Sequence, residues 1–249
     1  MITPQQTAQP EQEKRLAARA ALRWVRSGML VGLGSGSTAA FFIAALGESI
    51  RQSDLQVQAT ATSLASEALA QQAGIPLVEP RRGLRFDLTV DGADELDAQL
   101  RLVKGGGGAL LREKVLATAS DYLLIVADSS KVVTQLGRFP LPLEVVPFAL
   151  PWVLDAVAAL GGAPVLRSMK NDSMEAARSD QNNFLVDCHF EAVPEPERLA
   201  LHLQGIPGIV EHGLFLGLAQ AAVVARGAEV LVLQPGKEPV AAASFSIPL

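Results

Sequence analysis

The sequence predicts an α/β fold: a doubly wound, mostly parallel sheet with a smaller α+β domain inserted before its C-terminal strand. Short apolar stretches alternate with helix-like patterns through the first half of the chain, which is typical of successive β-α-β units. At residue 139 the pattern changes, because FPLPLEVVP holds three prolines in nine residues. We therefore expect a larger α/β domain from residues 1–138 plus 213–249 and a small α+β domain over residues 139–212.

In the first half of the chain, hydrophobic spacing and glycine positions predict each element in turn. Residues 1–10 are expected to be a loose tail. A helix at 11–26 follows, because apolar side chains recur at spacings of three and four, and Gly28 ends it. The remaining expected elements are strands at 29–33, 55–61, 86–90, 100–103 and 122–127 and helices at 38–50, 63–73 and 109–119.

In the second half, FPLPLEVVP is compatible with an edge strand or a connector and not with a central strand, because proline cannot donate a hydrogen bond to a sheet. We expect a polar turn at KNDS (170–173) and a final strand at 227–233 that returns to the first sheet. The other expected elements are helices at 152–160 and 195–203 and strands at 164–168 and 183–190.

Composition limits the class of protein. With 49% hydrophobic and 19% charged residues, the 249-residue chain is typical of a globular protein. A formal net charge of −5 argues against nucleic-acid binding. No apolar stretch reaches the roughly 18 residues of a membrane span, and MITPQQTAQPEQEK lacks the apolar core of a signal peptide. The single cysteine, Cys188, excludes an internal disulfide and is expected to be buried. We therefore expect a cytoplasmic protein with no nucleic-acid and no membrane partner.

The first motif is a glycine-rich turn between a predicted strand and a predicted helix, Gly34-Ser-Gly-Ser-Thr-Ala39. Backbone N–H groups at such a helix start attract anions. The spacing G-x-G-x-x-A satisfies a dinucleotide pattern. However, the next strand ends in ATATS, which offers no acid for a ribose, and no lysine follows the glycines as a triphosphate loop requires. The hydroxyls of Ser35, Ser37 and Thr38 suit a small phosphate or a sugar, and a purely structural turn is the alternative.

The second motif, VDGADEL, places Asp91 and Asp94 three residues apart at the end of a predicted strand, with Gly92 permitting a sharp turn. Ligands of open α/β sheets bind at the carboxyl ends of strands. The two carboxylates could bind a metal, perform acid–base work or hold sugar hydroxyls. A metal is the weaker choice, because all three histidines follow residue 188 and no metal-ligand spacing is present. A solvated acidic turn is the alternative, and Glu95 and Asp97 are expected to be solvated.

The third motif, VKGGGGALLREK, is a second glycine loop before a predicted helix, and it begins at Lys104. Four consecutive glycines lose much backbone entropy on folding, which disfavours a purely structural explanation. Glu113, about one turn into the helix, could face a ligand or instead pair on the surface with Arg112 and Lys114. After the next predicted strand, ADSSK supplies Lys131, a natural phosphate partner. We expect all these loops at one edge of the sheet, where they could hold a phosphorylated sugar and move a proton.

In this order, GSGSTAA, VDGADE, KGGGGALLREK, ADSSK and FPLPLEVVP resemble the motifs of the ribose-5-phosphate isomerase type A family. IPGIVEHGLF at 206–215 matches as well, so the similarity runs from about residue 12 to about residue 233. Ser35 stands where that family commonly has threonine, and residues 234–249 match no motif of the family.

The resemblance implies an aldose–ketose isomerase of the non-oxidative pentose phosphate pathway. Such an enzyme interconverts D-ribose 5-phosphate and D-ribulose 5-phosphate through an enediolate, with no cofactor and no metal. The resemblance also implies a doubly wound domain with a small ferredoxin-like α+β domain, and a homodimer or homotetramer.

Roles for individual residues follow from the same resemblance. Glu113 is implied as the base that moves a proton between C1 and C2. Asp91 and Asp94 are implied as the pair that handles ring opening and sugar hydroxyls. Lys104 and the glycine loop after it are implied to stabilise the oxyanion, and Lys14 lies near a phosphate-binding lysine of the family. The other implied substrate-binding residues are Ser35, Gly36, Ser37, Thr38, Gly92, Ala93, Gly105, Gly106, Gly107 and Lys131.

Three other functions fit parts of the sequence. A non-catalytic sugar-phosphate sensor would need an output module, and no basic helix-turn-helix precedes residue 30. A coenzyme A transferase would use a glutamate covalently, which KGGGGA followed by REK does not indicate. A nicotinamide enzyme would reveal itself by the absorbance of its bound cofactor.

Overall fold

The computed structural model describes residues 4–169 and 175–248, so the turn predicted at KNDS lies outside the described residues. Within those ranges the α-helices are α1 (Pro4–Ala21), α2 (Gly36–Gln52), α3 (Leu64–Gln72), α4 (Leu110–Thr118), α5 (Leu150–Ala159) and α6 (Pro196–Gln204). The strands are β1 (Leu30–Leu33), β2 (Gln58–Ala61), β3 (Leu88–Asp91), β4 (Glu95–Leu96), β5 (Leu102–Val103), β6 (Leu123–Asp128), β7 (Leu141–Val145), β8 (Ala163–Leu166), β9 (Phe184–His189), β10 (Ile209–His212), β11 (Leu214–Phe215), β12 (Ala221–Arg226), β13 (Glu229–Leu233) and β14 (Val240–Ala241).

The larger sheet has seven strands in the order β14-β13-β12-β6-β3-β1-β2. Five neighbouring strands, β2, β1, β3, β6 and β12, are parallel, while β13 and β14 extend the sheet at the β12 edge as antiparallel strands. This arrangement confirms the predicted α/β fold with a mostly parallel sheet. The strand predicted at 227–233 is β13. The strand β12 was not predicted, because Gly227, with φ +58°, turns the chain directly from one strand into the next.

Hydrophobic cores lie on both faces of the large sheet. On one face α1 and α2 enclose a core that includes Trp24, Phe42 and Leu33. The opposite face carries a core that includes Ile125 and Phe215. A third core fills the space between α5, α6 and the smaller four-stranded sheet. The carboxyl ends of the parallel strands therefore emerge between helices that are fixed by packing on both sides.

The four-stranded sheet is antiparallel, in the order β10-β7-β9-β8, and buries Cys188 on β9 as predicted. Because β7 is an interior strand, the prediction that FPLPLEVVP excludes a central strand is wrong. The reason lies at Pro142, whose carbonyl accepts a hydrogen bond from the Gly213 N–H at 2.8 Å. The Gly213 carbonyl accepts instead from the Lys104 N–H at 2.9 Å. Pro142 has no N–H to donate to the Gly213 carbonyl, but that carbonyl is still hydrogen-bonded, because Lys104 donates to it instead.

A third, three-stranded sheet has the antiparallel order β11-β5-β4. The strand predicted at 100–103 is β5, so it does not belong to the parallel sheet as expected. Since β5 is only two residues long and pairs on both sides, its partners could not be read from hydrophobic spacing. The loop that begins at Lys104 consequently approaches the site from a separate small sheet.

Both ends of the described chain pack on the large sheet. The helix α1 begins at Pro4, so the predicted ten-residue tail is wrong, and its Ala17 and Ala21 are fully buried. At the other end, the Phe245 ring stacks on Trp24 with centroids 5.7 Å apart. The segment after β13, which matches no family motif, therefore closes the hydrophobic core. None of the helices within residues 4–169 and 175–248 has the length and apolar character needed to cross a membrane.

Candidate active site

The predicted site residues meet at one cavity beside the carboxyl ends of β1, β3 and β6. Only two of the predicted residues do not line it. Asp91 lies buried behind the cavity wall, and Gly106 lies in the glycine loop between two lining residues. The lining residues are Lys14, Ser35, Gly36, Ser37, Thr38, Gly92, Ala93, Asp94, Lys104, Gly105, Gly107, Glu113 and Lys131.

Three buried charged side chains contact one another at the cavity, and two of them, Lys104 and Glu113, line it. The Lys104 Nζ lies 2.9 Å from Asp91 Oδ2 and 3.1 Å from Glu113 Oε2, and each of the three side chains is less than 5% exposed. Lys104 also donates a hydrogen bond of 2.7 Å to the Gly92 carbonyl. The contacts with the two carboxylates are ion pairs whose angles lie outside hydrogen-bond geometry, so both oxygens keep lone pairs without a donor among the described residues. Glu113 can therefore accept a proton from a bound molecule.

The protonation of this trio is set by burial and by mutual charge. Burial raises the pKa of Glu113 to about 7, while Lys104 opposes the rise and Asp91 adds to it. Burial would lower the pKa of Lys104, but the Asp91 and Glu113 carboxylates outweigh it and the pKa is raised. Lys104 therefore stays an ammonium ion, and Glu113 exchanges its proton near neutral pH. The surface pairs considered for Glu113 are wrong, because its neighbours Arg112 and Lys114 pair with Asp180 and Glu211.

Asp91 also shapes the first glycine turn. Its Oδ1 accepts hydrogen bonds from the Ser35 N–H at 3.0 Å and the Gly92 N–H at 2.7 Å. A Cβ atom at Gly34 would lie 2.1 Å from the same oxygen, so only glycine fits there. One carboxylate thus joins the turn after β1, the turn after β3 and Lys104.

Asp94 holds the second glycine loop. Its Oδ2 accepts a hydrogen bond of 2.8 Å from the Gly106 N–H, and a Cβ atom at Gly106 would lie 2.7 Å from Asp94 Oδ1. Unlike Asp91, Asp94 lines the cavity. Its carboxylate therefore reaches both the loop and a bound ligand.

The hydroxyls of the first turn differ in what they can offer a ligand. The Thr62 hydroxyl donates to the Leu33 carbonyl at 3.1 Å. Since a hydroxyl has one proton to donate, Ser35 must be the donor in its 2.6 Å contact with Thr62, and its own oxygen is left as an acceptor. Lys14 Nζ donates to Ser37 Oγ at 3.0 Å, and Lys131 also lines the cavity. Two lysines besides Lys104 therefore line the cavity.

Two acidic residues that were expected to be solvated are instead buried, so that prediction is wrong. Glu95 accepts hydrogen bonds from the Gly137 and Phe139 N–H groups at 2.8 and 2.7 Å. Asp97 pairs with Arg101 at 2.6 Å and caps the turn that precedes β5. Both carboxylates are structural, because backbone N–H groups far along the chain or in the next turn satisfy them.

Glu13 is a buried carboxylate that was not predicted from the sequence. Its Oε2 accepts from the N–H and the hydroxyl of Ser129 at 3.0 and 2.8 Å, and its Oε1 accepts from the Gly227 N–H at 2.7 Å. Burial raises its pKa, but these hydrogen bonds outweigh burial and the pKa is lowered from 4.5. Glu13 therefore joins the helix that carries Lys14 to the turn that carries Lys131. Because the neighbouring residues in the sequence are also charged or polar, nothing in that segment indicates that the Glu13 side chain is buried.

Glu13→Gln is expected to lower the free energy of unfolding at pH 7 by roughly 1.5–3 kcal/mol, the scale of hydrogen bonds to a charged group. Because the folded pKa is lowered, this contribution is present above the unfolded pKa of about 4.5 and is lost as pH falls through the folded value. Urea unfolding at pH 7 and near pH 4 measures the difference. Glu11→Gln, at an exposed residue paired with Arg15, should change stability by less than about 1 kcal/mol. A gap between wild type and Glu13→Gln that is independent of pH would contradict this assignment.

No group of three or more His, Cys, Asp or Glu side chains that could hold a metal ion occurs within residues 4–169 and 175–248. Asp91 and Asp94 do not form a metal site in this conformation, because one faces Lys104 and the other faces the Gly106 N–H. The carboxylates at the cavity are thus arranged around a lysine and backbone donors.

Comparisons with known proteins agree on one family. Residues 58–229 match the family model of ribose 5-phosphate isomerase A (phosphoriboisomerase A). Ribose-5-phosphate isomerase A of Sphingopyxis alaskensis is 46% identical over 225 residues, which cover 90% of this chain and 97% of the relative. The protein of the same name from Rhodopseudomonas palustris is 48% identical over 86% of this chain and 94% of the relative.

Solved structures give the same result. Ribose 5-phosphate isomerase A from Methanocaldococcus jannaschii superposes with a TM-score of 0.85 at 35% identity, covering 90% of this chain and 99% of that one. A D-ribose-5-phosphate isomerase in complex with phospho-erythronic acid superposes with a TM-score of 0.87 at 32% identity, with the same coverage.

Proposed function

This chain belongs to the ribose 5-phosphate isomerase A family and interconverts ribose 5-phosphate and ribulose 5-phosphate, and we propose that the cavity beside β1, β3 and β6 is where it does so. The observation that carries this proposal is Glu113, a buried carboxylate whose pKa is raised to about 7 and which lines the same cavity as Lys14 and Lys131. A base that titrates near neutral pH suits proton abstraction from carbon.

In the proposed reaction, Glu113 takes the proton from C2 of the open-chain aldose, and the electrons of that bond move toward the C1 carbonyl oxygen. The resulting enediolate carries its negative charge on O1, where the Lys104 ammonium stabilises it. Protonated Glu113 then returns the proton to C1, while the proton on O2 passes to O1 and C2 becomes the ketone. Asp94 holds sugar hydroxyls, and Asp91 acts on the substrate only through Lys104 and the first glycine turn.

The phosphate is proposed to lie at the start of α2. Ser37 and Thr38 offer hydroxyls there, and the helix N-terminus offers backbone N–H groups. Lys14 and Lys131 supply positive charge from two other elements. This places the anionic end of the substrate opposite Glu113.

The remaining proposals concern the whole protein. We infer a cytoplasmic homodimer or homotetramer that works without cofactor or metal, with domains at 1–138 plus 213–249 and at 139–212. An exposed apolar pair supports self-association, since Phe148 and Trp152 are 82% and 63% exposed and their rings contact each other.

The proposed mechanism predicts that conversion of ribose 5-phosphate in D₂O gives ribulose 5-phosphate with deuterium at C1. The proton on Glu113 can exchange with solvent before it returns to carbon, whereas a hydride shift would carry the original hydrogen across. The product is analysed by NMR, with enzyme dialysed against EDTA beside untreated enzyme. Equal rates and deuterium uptake in both samples support the enediolate. An unlabelled product would contradict proton transfer through Glu113. Activity that returns only with a divalent ion would contradict the proposal that no metal is needed.

A further inference from the structure

We propose that Arg167 is a positioning residue for the isomerisation: it fixes two carbonyl groups of the glycine loop and thereby directs the Gly107 N–H into the cavity. This inference rests on the proposed function, because it assigns a task to the loop beside the substrate oxygens. Arg167 follows β8 in the four-stranded sheet, 63 positions after Lys104 in the chain. It does not line the cavity itself.

The Arg167 guanidinium has two occupied edges. On one side Asp187 accepts from Nε at 2.8 Å and from Nη2 at 2.6 Å. On the other side Nη1 donates to the Gly105 and Gly106 carbonyls, both at 3.2 Å, and Nη2 donates to the Gly105 carbonyl at 3.3 Å. The side chains of Arg167 and Asp187 are 17% and 23% exposed. Asp187 therefore orients the guanidinium group, and the guanidinium group in turn binds the two carbonyls of the glycine loop.

Two successive peptide groups of the loop are held in this way. In the peptide that joins Gly105 to Gly106, the Gly105 carbonyl accepts from Arg167, and the Gly106 N–H donates to Asp94 at 2.8 Å. The next peptide has its Gly106 carbonyl on Arg167. In a trans peptide the N–H points opposite to the carbonyl, so the Gly107 N–H points away from Arg167, and Gly107 lines the cavity. No residue in the described part of the chain accepts a hydrogen bond from it, which leaves this donor for an oxygen of the substrate.

A glycine loop needs such an anchor more than other loops do. Gly105 and Gly108 have φ of +102° and +83°, values that glycine adopts freely, and a peptide between glycines can rotate at little cost. A donor aids catalysis when it is already aimed at the place where charge develops. Because Arg167 binds carbonyls of both flexible peptides, it restricts their rotation without touching the substrate.

The test compares Arg167→Met and Arg167→Lys with wild type. Methionine keeps the aliphatic stem and removes the guanidinium group, while lysine keeps the charge but lacks the planar guanidinium that binds Asp187 on one edge and the two carbonyls on the other. We expect Arg167→Met to lower kcat about 10- to 100-fold, up to the scale of losing one aimed donor, with KM within about threefold. Inhibition by phospho-erythronic acid, whose carboxylate resembles the enediolate charge, should weaken in proportion to kcat/KM. Inhibition by inorganic phosphate should not change. Arg167→Lys should fall between the two.

Arg178→Met is the matched control. Arg178 lies in the same part of the chain, donates to the Asn182 carbonyl and covers the Phe184 ring, but contacts no glycine of the loop. The Arg178→Met substitution should leave kcat unchanged. If Arg167→Met fails to fold, by circular dichroism and thermal unfolding, Arg167→Lys carries the test. A folded Arg167 variant with normal kcat overturns the proposal, as does weaker inhibition by inorganic phosphate in step with phospho-erythronic acid. Inactive wild type, or active Glu113→Gln, would instead overturn the proposed function.

Discussion

Glu113→Gln is expected to lower kcat by at least about 10²-fold while KM for ribose 5-phosphate stays within about threefold. General-base catalysis contributes about 10²- to 10⁴-fold, and glutamine keeps the shape of the side chain while it removes the basic oxygen. The variant should fold, because Lys104 keeps Asp91 at 2.9 Å and its buried ammonium is not left without a counter-charge. Steady-state kinetics with ribose 5-phosphate measure the loss.

Glu211→Gln serves as the control. Glu211 pairs with Lys114, the residue after Glu113, but does not line the cavity, so kcat should be nearly unchanged. The pH profile gives a second measurement. Since Glu113 acts only when deprotonated and its pKa is raised to about 7, kcat/KM of wild type should fall about tenfold per pH unit below pH 7. The fall should steepen near pH 6, where the substrate phosphate gains a proton. Near-normal turnover by Glu113→Gln, or a flat profile from pH 8 to pH 6, would remove Glu113 from the role of base.

Most residues that line the cavity could be predicted from sequence, because they lie within a few short motifs. Each glycine loop and the VDGAD turn follow an apolar stretch, and the carboxyl ends of parallel strands share one edge of a sheet. That rule brought Ser37, Asp94 and Lys131 together correctly. It placed Lys104 in the cavity for an incomplete reason, because β5 belongs to the three-stranded sheet and the Gly213 carbonyl fixes the Lys104 backbone.

The residues that orient this wall could not be predicted, because their partners lie far along the chain. Glu13 bonds to Ser129 and Gly227, and Arg167 bonds to Gly105. Nothing in a window of neighbouring residues distinguishes these side chains from solvated ones. The prolines of FPLPLEVVP misled for the same reason, since the hydrogen bond that Pro142 cannot make is made by Lys104 from another sheet. Local sequence thus predicts which groups meet the substrate better than it predicts what holds those groups.

Free ribose is expected to be a poorer substrate than ribose 5-phosphate by more than about 10³-fold in kcat/KM. Each charged contact with a phosphate contributes about 1.5–3 kcal/mol, and two lysines beside the start of α2 offer at least two such contacts. Two such contacts contribute about 3–6 kcal/mol, and the hydroxyls and backbone N–H groups at the start of α2 add to this, so the total reaches the roughly 4 kcal/mol that corresponds to 10³-fold. Binding energy from a group that does not react can also raise turnover by placing C2 against Glu113. The loss should therefore show in kcat as well as in KM.

Lys131→Ala tests which group supplies that preference. The variant should weaken kcat/KM for ribose 5-phosphate by about 10- to 100-fold, on the scale of one charged contact, and leave the rate with free ribose unchanged. Lys237→Ala, at an exposed lysine that contacts Gln234, should alter neither. Wild type, Lys131→Ala and Lys237→Ala are each assayed with both sugars. The ratio of kcat/KM for ribose 5-phosphate to kcat/KM for free ribose measures the contribution of the phosphate. If Lys131→Ala slows both sugars equally, Lys131 acts on the fold of its turn and not on the phosphate. If wild type converts both sugars alike, the start of α2 is not an anion site, and the orientation of the substrate in this cavity must be reversed or abandoned.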